Sequence, residues 1–381
     1  MKRRRLSPVI LKRDSRRPEV WMLQEALNAL GYDCGTPDGW WGGKTTVAVT
    51  EFQADVFGAA NTDQLVGPGT WSQLLARTEA ETDYRPPLAR RIQTVIGYYE
   101  NSTATNAYGG TSRLNDGAGW NYGVMQHNGY GSLNALLRMA GKDELQRIYR
   151  AGGRDTFQPA IRDWMGSVEG IAAQDRYFRD KTLKLARSFA TELQSVTDFF
   201  EQAHLLPYYE RYLLIMVGAA VQNGALLSPY RKPFWRSIEP HESQLEKYVE
   251  LYRGHRFNQL FMSENFTYSD LKRIWTEIEK TGVDRREVNK RALARVLRDH
   301  IRDPLNKLIM IAQWRARSSS PRWWTDVESR QMLAATGEGR VHGSRMLSLV
   351  DDFGFTDVEA HQWAWSNDGK AAWEGDTEAA E

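Results

Sequence analysis

Pro18-Glu-Val-Trp-Met-Leu-Gln-Glu-Ala-Leu-Asn-Ala-Leu-Gly31, followed by Thr36-Pro-Asp-Gly-Trp-Trp-Gly-Gly43, decides how the N-terminal part of the chain folds. Val20, Leu23, Leu27 and Leu30 recur at helical spacing, Pro18 suits a first helical turn and Gly31 suits a C-terminal cap. The Thr36–Gly43 run supplies turn chemistry. A second helix is expected over 45–57, with Val47, Val49, Phe52 and Val56 apolar. A third starts at Thr70, after Val66-Gly-Pro-Gly69. Three short helices bury a small core, near the lower limit for independent folding. Fold class follows: a mainly α protein, opened by a small three-helix unit at 18–78.

Working outward, 381 residues predict two or three domains. A 41% hydrophobic and 26% charged composition excludes a disordered chain, and no apolar run is long enough to span a bilayer. With Cys34 the single cysteine, no internal disulfide can form, and Cys34 is expected to be a small inert side chain. The net charge of +2 hides an uneven spread. Residues 1–17 carry eight basic groups and one acid, whereas residues 366–381 carry five acids and one lysine. Both ends are expected to be tails. The basic one is either simply solvated or attracted to an anionic envelope lipid or polymer; no nucleic acid is expected as a partner. The start is basic like a signal peptide, but its apolar stretch is only Val9-Ile-Leu11, so no secretion signal is read.

Glu79-Ala-Glu-Thr-Asp-Tyr-Arg-Pro-Pro87 is polar and proline-ended, and reads as a linker at 79–87. From 88 to 365 the chain reads as one helix-rich block without an evident internal repeat. Its first helix, Leu88 to Glu100, places Leu88, Ile92, Val95, Ile96 and Tyr99 on one face. Glu100 ends that apolar stripe. A carboxyl in such a setting suits a general acid, although a helix-end glutamate can equally turn to water. The glycines at 109, 110, 117, 119 and 123 force turns, most simply a hairpin able to bring Asp116 opposite Glu100. Two carboxylates facing across a cleft are what glycoside hydrolysis requires.

Two resemblances sharpen these readings. Leu23-Gln-Glu-Ala-Leu-Asn-Ala-Leu-Gly-Tyr32, Asp38-Gly-Trp-Trp-Gly-Gly-Lys-Thr45, Ala48-Val-Thr-Glu-Phe-Gln53 and Val66-Gly-Pro-Gly-Thr-Trp71 resemble the three-helix peptidoglycan-binding domain of cell-wall hydrolases. Trp41 stands where that family usually has phenylalanine, and residues 57–66 lack a clear second Asp-Gly turn. The resemblance implies wall contact, for which Tyr32, Asp38, Trp40 and Trp41 are candidates; core and turn packing is the alternative for the aromatic three.

Further on, Glu100-Asn-Ser102, Tyr108, Asp116-Gly-Ala-Gly-Trp120 and Gly123 are similar to the signature of the family 46 chitosanases, members of the lysozyme-like superfamily. That resemblance implies a lysozyme-like α+β domain with a short hairpin beside its cleft. It assigns Glu100 as acid and Asp116 as the base of an inverting reaction, with Asn121 where a water-holding threonine stands. Tyr108, Trp120, Tyr122, Gln126, His127 and Asn128 become candidate sugar contacts, with loop packing the alternative for those after 108. Ala118 replaces an arginine of that family, and Ser132 an aspartate that pairs with the glucosamine ammonium, which favours an N-acetylated glycan.

The expectation is a monomeric peptidoglycan hydrolase resembling phage endolysins, made in the cytoplasm and acting on the wall, with no cofactor and no metal. A chitosan or chitin hydrolase and a non-catalytic wall-binding protein are the alternatives.

Overall fold

The computed structural model describes residues 10–82, 84–100, 107–113, 119–188, 206–223, 308, 312, 324–341 and 345–358. Asp116, Asn101, Ser102, Ala118, the acidic 366–381 stretch and, apart from Leu308 and Ala312, the block 230–320 lie outside them. The chain divides into two compact units: Met1–Lys184 with Asp351–Gly354, and Leu185–Val350 with Phe355–Glu381. The protein is mainly helical, and its only sheets among the described residues are two short antiparallel hairpins. None of the described helices is long and apolar enough to cross a membrane.

The first unit opens with α1 (Pro18–Ala29), α2 (Gly43–Phe57) and α3 (Pro68–Thr82). Proline begins α1 and Gly31 follows it at φ +90°, the stop its position implied. Leu23, Leu27, Trp41, Val49, Phe52 and Trp71 form the core of this N-terminal module. Cys34 is buried beside it, and burial pushes its thiol up to about 12, so it stays protonated and unreactive.

The module is internally duplicated. Gln24 Nε2 donates to Asp38 Oδ1, the Trp40 carbonyl and Thr45 Oγ1 at 3.0, 3.0 and 3.1 Å. Gln53 Nε2 repeats this with Asp63 Oδ1, the Leu65 carbonyl and Thr70 Oγ1 at 2.8, 2.9 and 3.2 Å. Each aspartate also accepts the amide two residues on, Trp40 N at 2.8 Å and Leu65 N at 2.9 Å. Residues 57–66 therefore do hold the second turn, with Gln64 at φ +57° where the first turn has Gly39 at φ +76°.

Both ends of the module are packed. From Leu11 onward the basic segment lies against it. Leu11 N donates to the Val66 carbonyl and Val66 N to that of Leu11, at 3.1 and 2.9 Å. The Arg17 guanidinium lies buried against Glu19 at 3.3 Å. At the other end α3 runs to Thr82, and the division between compact units falls after Lys184. The reason is packing: Trp21 of α1 lies under the Arg90 guanidinium of α4 (Leu88–Glu100), 3.9 Å from its ring centre.

Helix α4 starts and ends where its pattern predicts, yet it is far more enclosed than one apolar face implies. Every residue from Arg90 to Tyr99 is buried. Gly97 permits this, since a Cβ there would meet Val124 Cγ2 at 2.8 Å and Pro18 Cγ at 3.0 Å. The buried cation on α4 is neutralised: Arg90 donates to Asp175 Oδ1 and Oδ2 at 3.1 and 2.9 Å, and Tyr108 Oη donates to Asp175 Oδ1 at 2.6 Å.

Strands β1 (Thr111–Arg113) and β2 (Trp120–Tyr122) pair antiparallel, Arg113 opposite Trp120. Helices α5 (Asn134–Met139), α6 (Asp143–Gly152), α7 (Pro159–Met165) and α8 (Val168–Tyr177) follow, with a π-helical turn at each flank, Gly129–Leu133 and Phe178–Leu183. Tyr122, Leu133, Leu136, Leu137, Tyr149, Ile161 and Met165 form a second core under the hairpin.

The second unit contains α9 (Leu206–Asn223), α10 (Trp324–Thr336) and the hairpin β3 (Glu338–Val341) and β4 (Arg345–Ser348). Tyr212 to Val217 of α9 and Leu333 to Ala335 of α10 are buried. Arg211 donates to the Ala335 carbonyl at 3.3 Å. Val327 to Thr336 form the body of α10, and Gly337 begins the turn after it.

Candidate functional site

The α4–hairpin region of the first unit collects most of the residues nominated for chemistry. Glu100 is the last residue of α4 and, after ten buried positions, the first to emerge, half-buried. The β1–β2 pairing occurs where the glycine spacing predicts a ribbon. Gly123 makes the end of that ribbon possible. Its φ is +78°, and a Cβ there would lie 2.2 Å from Gln174 Oε1 and 2.3 Å from the Met165 methyl. Gln174, fully buried, clamps the segment: its Oε1 accepts from Val124 N at 2.9 Å and its Nε2 donates to the Met165 carbonyl at 2.9 Å.

Asn121 sits on β2, 3% exposed, with both ends of its amide held. Oδ1 accepts from Asn128 Nδ2 at 2.7 Å, and Nδ2 donates to Ser112 Oγ at 3.2 Å. Ser112 Oγ in turn bonds Gln126 Oε1, and Gln126 Nε2 donates to the Gly123 carbonyl at 3.2 Å. Gln126 adopts φ +50°, a left-handed conformation costly for a side chain with a Cβ. Asn121, Gln126 and Asn128, nominated separately, are thus one hydrogen-bonded set. Ser112 joins them and was not foreseen. An asparagine so placed retains one N–H and one acceptor site for a further partner. Ser132 Oγ accepts from Asn128 N at 3.2 Å, so this serine supports the set from behind.

Other nominated residues are enclosed. The Tyr108 ring is fully buried, and its hydroxyl, between Arg90 and Asp175, is raised well above the usual tyrosine range, foremost by burial and then by that carboxylate. Tyr122 is fully buried and stacked on Phe157 with centroids 6.3 Å apart; its Oη accepts from Gln158 N at 2.9 Å. Trp120 leans on Phe157 at 4.8 Å and keeps partial exposure.

His127 is 2% exposed and edge-on to Tyr177 at 5.0 Å; its Nε2 has no hydrogen-bond partner. Burial lowers it to about 4, so its imidazole is neutral at neutral pH and donates no proton to a substrate. Among the described residues no group of His, Cys, Asp and Glu is arranged to hold a metal ion.

In the N-terminal module the nominated wall contacts separate. Trp41 is fully buried in the core, and Asp38 Oδ1 is occupied by Gln24 and by Trp40 N. The Trp40 ring lies under the Arg16 guanidinium at 4.5 Å. Tyr32 is half-buried, edge-on to Phe52 at 5.5 Å, and its Oη donates to Asp55 at 2.8 Å.

The residues missed were polar: Gln24, Gln53, Arg90, Gln174 and Asp175, all buried, and the half-buried Ser112. For the first two a signal existed, since an aspartate and a threonine stand seven residues apart after each glutamine, Asp38 with Thr45 and Asp63 with Thr70. For Arg90 and Asp175, which are distant in the chain, sequence offers none.

Residues 16–74 match the family model of the peptidoglycan binding domain. They span the duplicated module from Arg16 to the middle of α3. The chain therefore carries a peptidoglycan-binding domain and associates with the bacterial cell wall.

Proposed function

We propose that this wall-associated chain is a peptidoglycan hydrolase of the glycosidase type, with residues 88–365 as its lysozyme-like catalytic part. The observation that carries the reading is Glu100: a half-buried carboxyl at the end of a helix buried from Arg90 to Tyr99, in the same compact unit as a peptidoglycan-binding domain. The fixed Asn121 amide on the neighbouring hairpin supports it. The similarity of the Glu100-to-Gly123 segment to an acid/base signature supplies the second carboxylate, Asp116.

In this mechanism the Glu100 carboxyl gives its proton to the glycosidic oxygen as the β-1,4 bond breaks. Asp116 takes a proton from the water that attacks the anomeric carbon on the opposite face. Asn121 orients that water through its remaining amide valence. Inversion follows, with the two carboxyls about 6.5–9.5 Å apart to admit the water. The bound domain keeps the cleft at high effective substrate concentration on the wall. Trp120, Gln126 and Asn128 are the sugar contacts favoured here, because Tyr108, Tyr122 and His127 are enclosed.

Digestion of purified sacculi tests the reading. Mass spectrometry of the wild-type digest is expected to show soluble fragments ending in reducing N-acetylmuramic acid. Glu100→Gln is expected to release none while still sedimenting with sacculi. Absence of fragments from the wild type, or full release by the variant, refutes it; faster release from chitosan transfers the chemistry to a chitosanase.

A further inference from the structure

The duplication of the module offers two equivalent turns, and the protein treats them differently. The first, Asp38–Trp41, is largely covered: Gly39 and Trp41 are buried, and Asp38 and Trp40 half-buried. A Cβ on Gly39 would touch Tyr108 Cε2 at 3.1 Å and approach Ile171 Cγ2 at 3.7 Å. Arg16 covers Trp40 and donates to the Gly166 carbonyl. Arg17 N donates to the Gly39 carbonyl at 2.9 Å. Most of this turn is therefore taken up by the packing that joins the module to the rest of its unit.

The second turn belongs to a lobe, residues 57–65, whose residues are all exposed except Thr62. Phe57 and Leu65, at its two ends, keep 37% and 38% of their surface in solvent. Asn61 Nδ2 donates to the Phe57 carbonyl at 2.8 Å, which folds the lobe back on the end of α2. Gln64 occupies the left-handed position that glycine fills in the covered copy. Glycine would be the easier residue there, so this chain carries a glutamine side chain against backbone preference, at a solvent-facing site.

We propose that the 57–65 lobe is the wall-contacting surface of this domain, and that its ligand is the N-acetylated glycan strand of peptidoglycan. Phe57 and Leu65 supply apolar contact for sugar faces, and the Gln64 amide matches an acetamido group with both a donor and an acceptor. The stem peptide is the poorer fit: its carboxylates call for a cation, and residues 57–65 contain no lysine or arginine. This assignment rests on the domain binding peptidoglycan and deepens it; it replaces Asp38, Trp40 and Trp41 as the contacts.

The test uses the full chain, co-sedimented with purified sacculi and with glycan strands freed of stem peptides by an amidase. Gln64→Gly and Phe57→Ser are expected to weaken binding to both by tenfold or more. Gln64→Gly is expected to keep or raise the melting temperature, because it relieves the left-handed backbone. Unchanged binding by Gln64→Gly and Phe57→Ser overturns the lobe assignment, as does a Gln64→Gly protein that loses stability together with binding. Binding to sacculi but not to peptide-free strands overturns the glycan. A wild-type chain that sediments with neither defeats wall binding itself, which separates that failure from a misplaced surface.

Discussion

Glu25 places a titratable carboxyl where α1 meets the polar segment leading into α4, and replacing it with glutamine should change how stability depends on pH. The side chain is half-buried, its Oε2 accepts from the Tyr84 hydroxyl, and the cation that attracts it, Arg90, is already committed to Asp175. Burial dominates, Arg90 offsets part of it, and the carboxyl is raised from 4.5 to about 7. The folded protein thus holds a proton that the unfolded chain releases. Its contribution to stability is complete below pH 4.5 and is lost as pH rises through about 7. At ~1.4 kcal/mol per pH unit the ceiling is roughly 3.5 kcal/mol. Glu25 still meets water, so screening reduces this to about 1 kcal/mol.

Glutamine stays neutral at every pH and can still accept from Tyr84. Glu25→Gln is therefore expected to match the wild type at pH 5 and exceed it by about 1 kcal/mol at pH 8, some 2–4 °C in Tm for a unit of this size. Urea unfolding of both proteins at pH 5, 6, 7 and 8 gives the answer in their difference, where other titrating groups cancel. A difference that is flat with pH, or a variant weaker at pH 8, refutes the burial argument.

Two other substitutions probe the same unit. Asp175→Ala removes the acceptor of Arg90, Tyr108 and Gln93 and leaves a guanidinium buried without its counter-charge, which should cost about 3–5 kcal/mol in urea unfolding; a loss below about 1 kcal/mol would show that Arg90 finds water instead. For His127, lowered to about 4, the stability present above pH 6.5 is lost as pH falls toward 4, because the unfolded imidazole takes up a proton that the folded one refuses. His127→Phe keeps a ring against Tyr177, so on going from pH 7 to pH 5 the wild type should lose roughly 2 kcal/mol more than the variant. Equal losses would mean that His127 titrates normally.

Local structure was legible wherever a short stretch of chain contained its own instructions. Pro18 and Gly31 bracket α1, and the apolar spacing of Leu88 to Glu100 set the bounds of α4, because helix periodicity and caps depend on neighbours within a few residues. The ribbon around Trp120 followed from its glycines for the same reason. The second turn of the module was hidden, since Gln64 stands where glycine would have announced it. Of the candidate site, Glu100 and the Asn121 neighbourhood were readable as residue types, but not the hydrogen bonds that join Asn128, Asn121, Ser112 and Gln126.

By itself, then, the sequence determined the helical class, the wall-binding module and the residues worth testing. Tertiary structure alone decided which of them face solvent. Arg90 and Asp175 are 85 residues apart and meet inside the fold. Their pairing buries Tyr108, and the Asp38–Trp41 turn is largely covered by Tyr108, Ile171 and Arg16. Periodicity reports which face of one helix is apolar. It carries no information about which distant groups will pack together once that face is covered, and that packing leaves one copy of the turn largely covered and the other exposed.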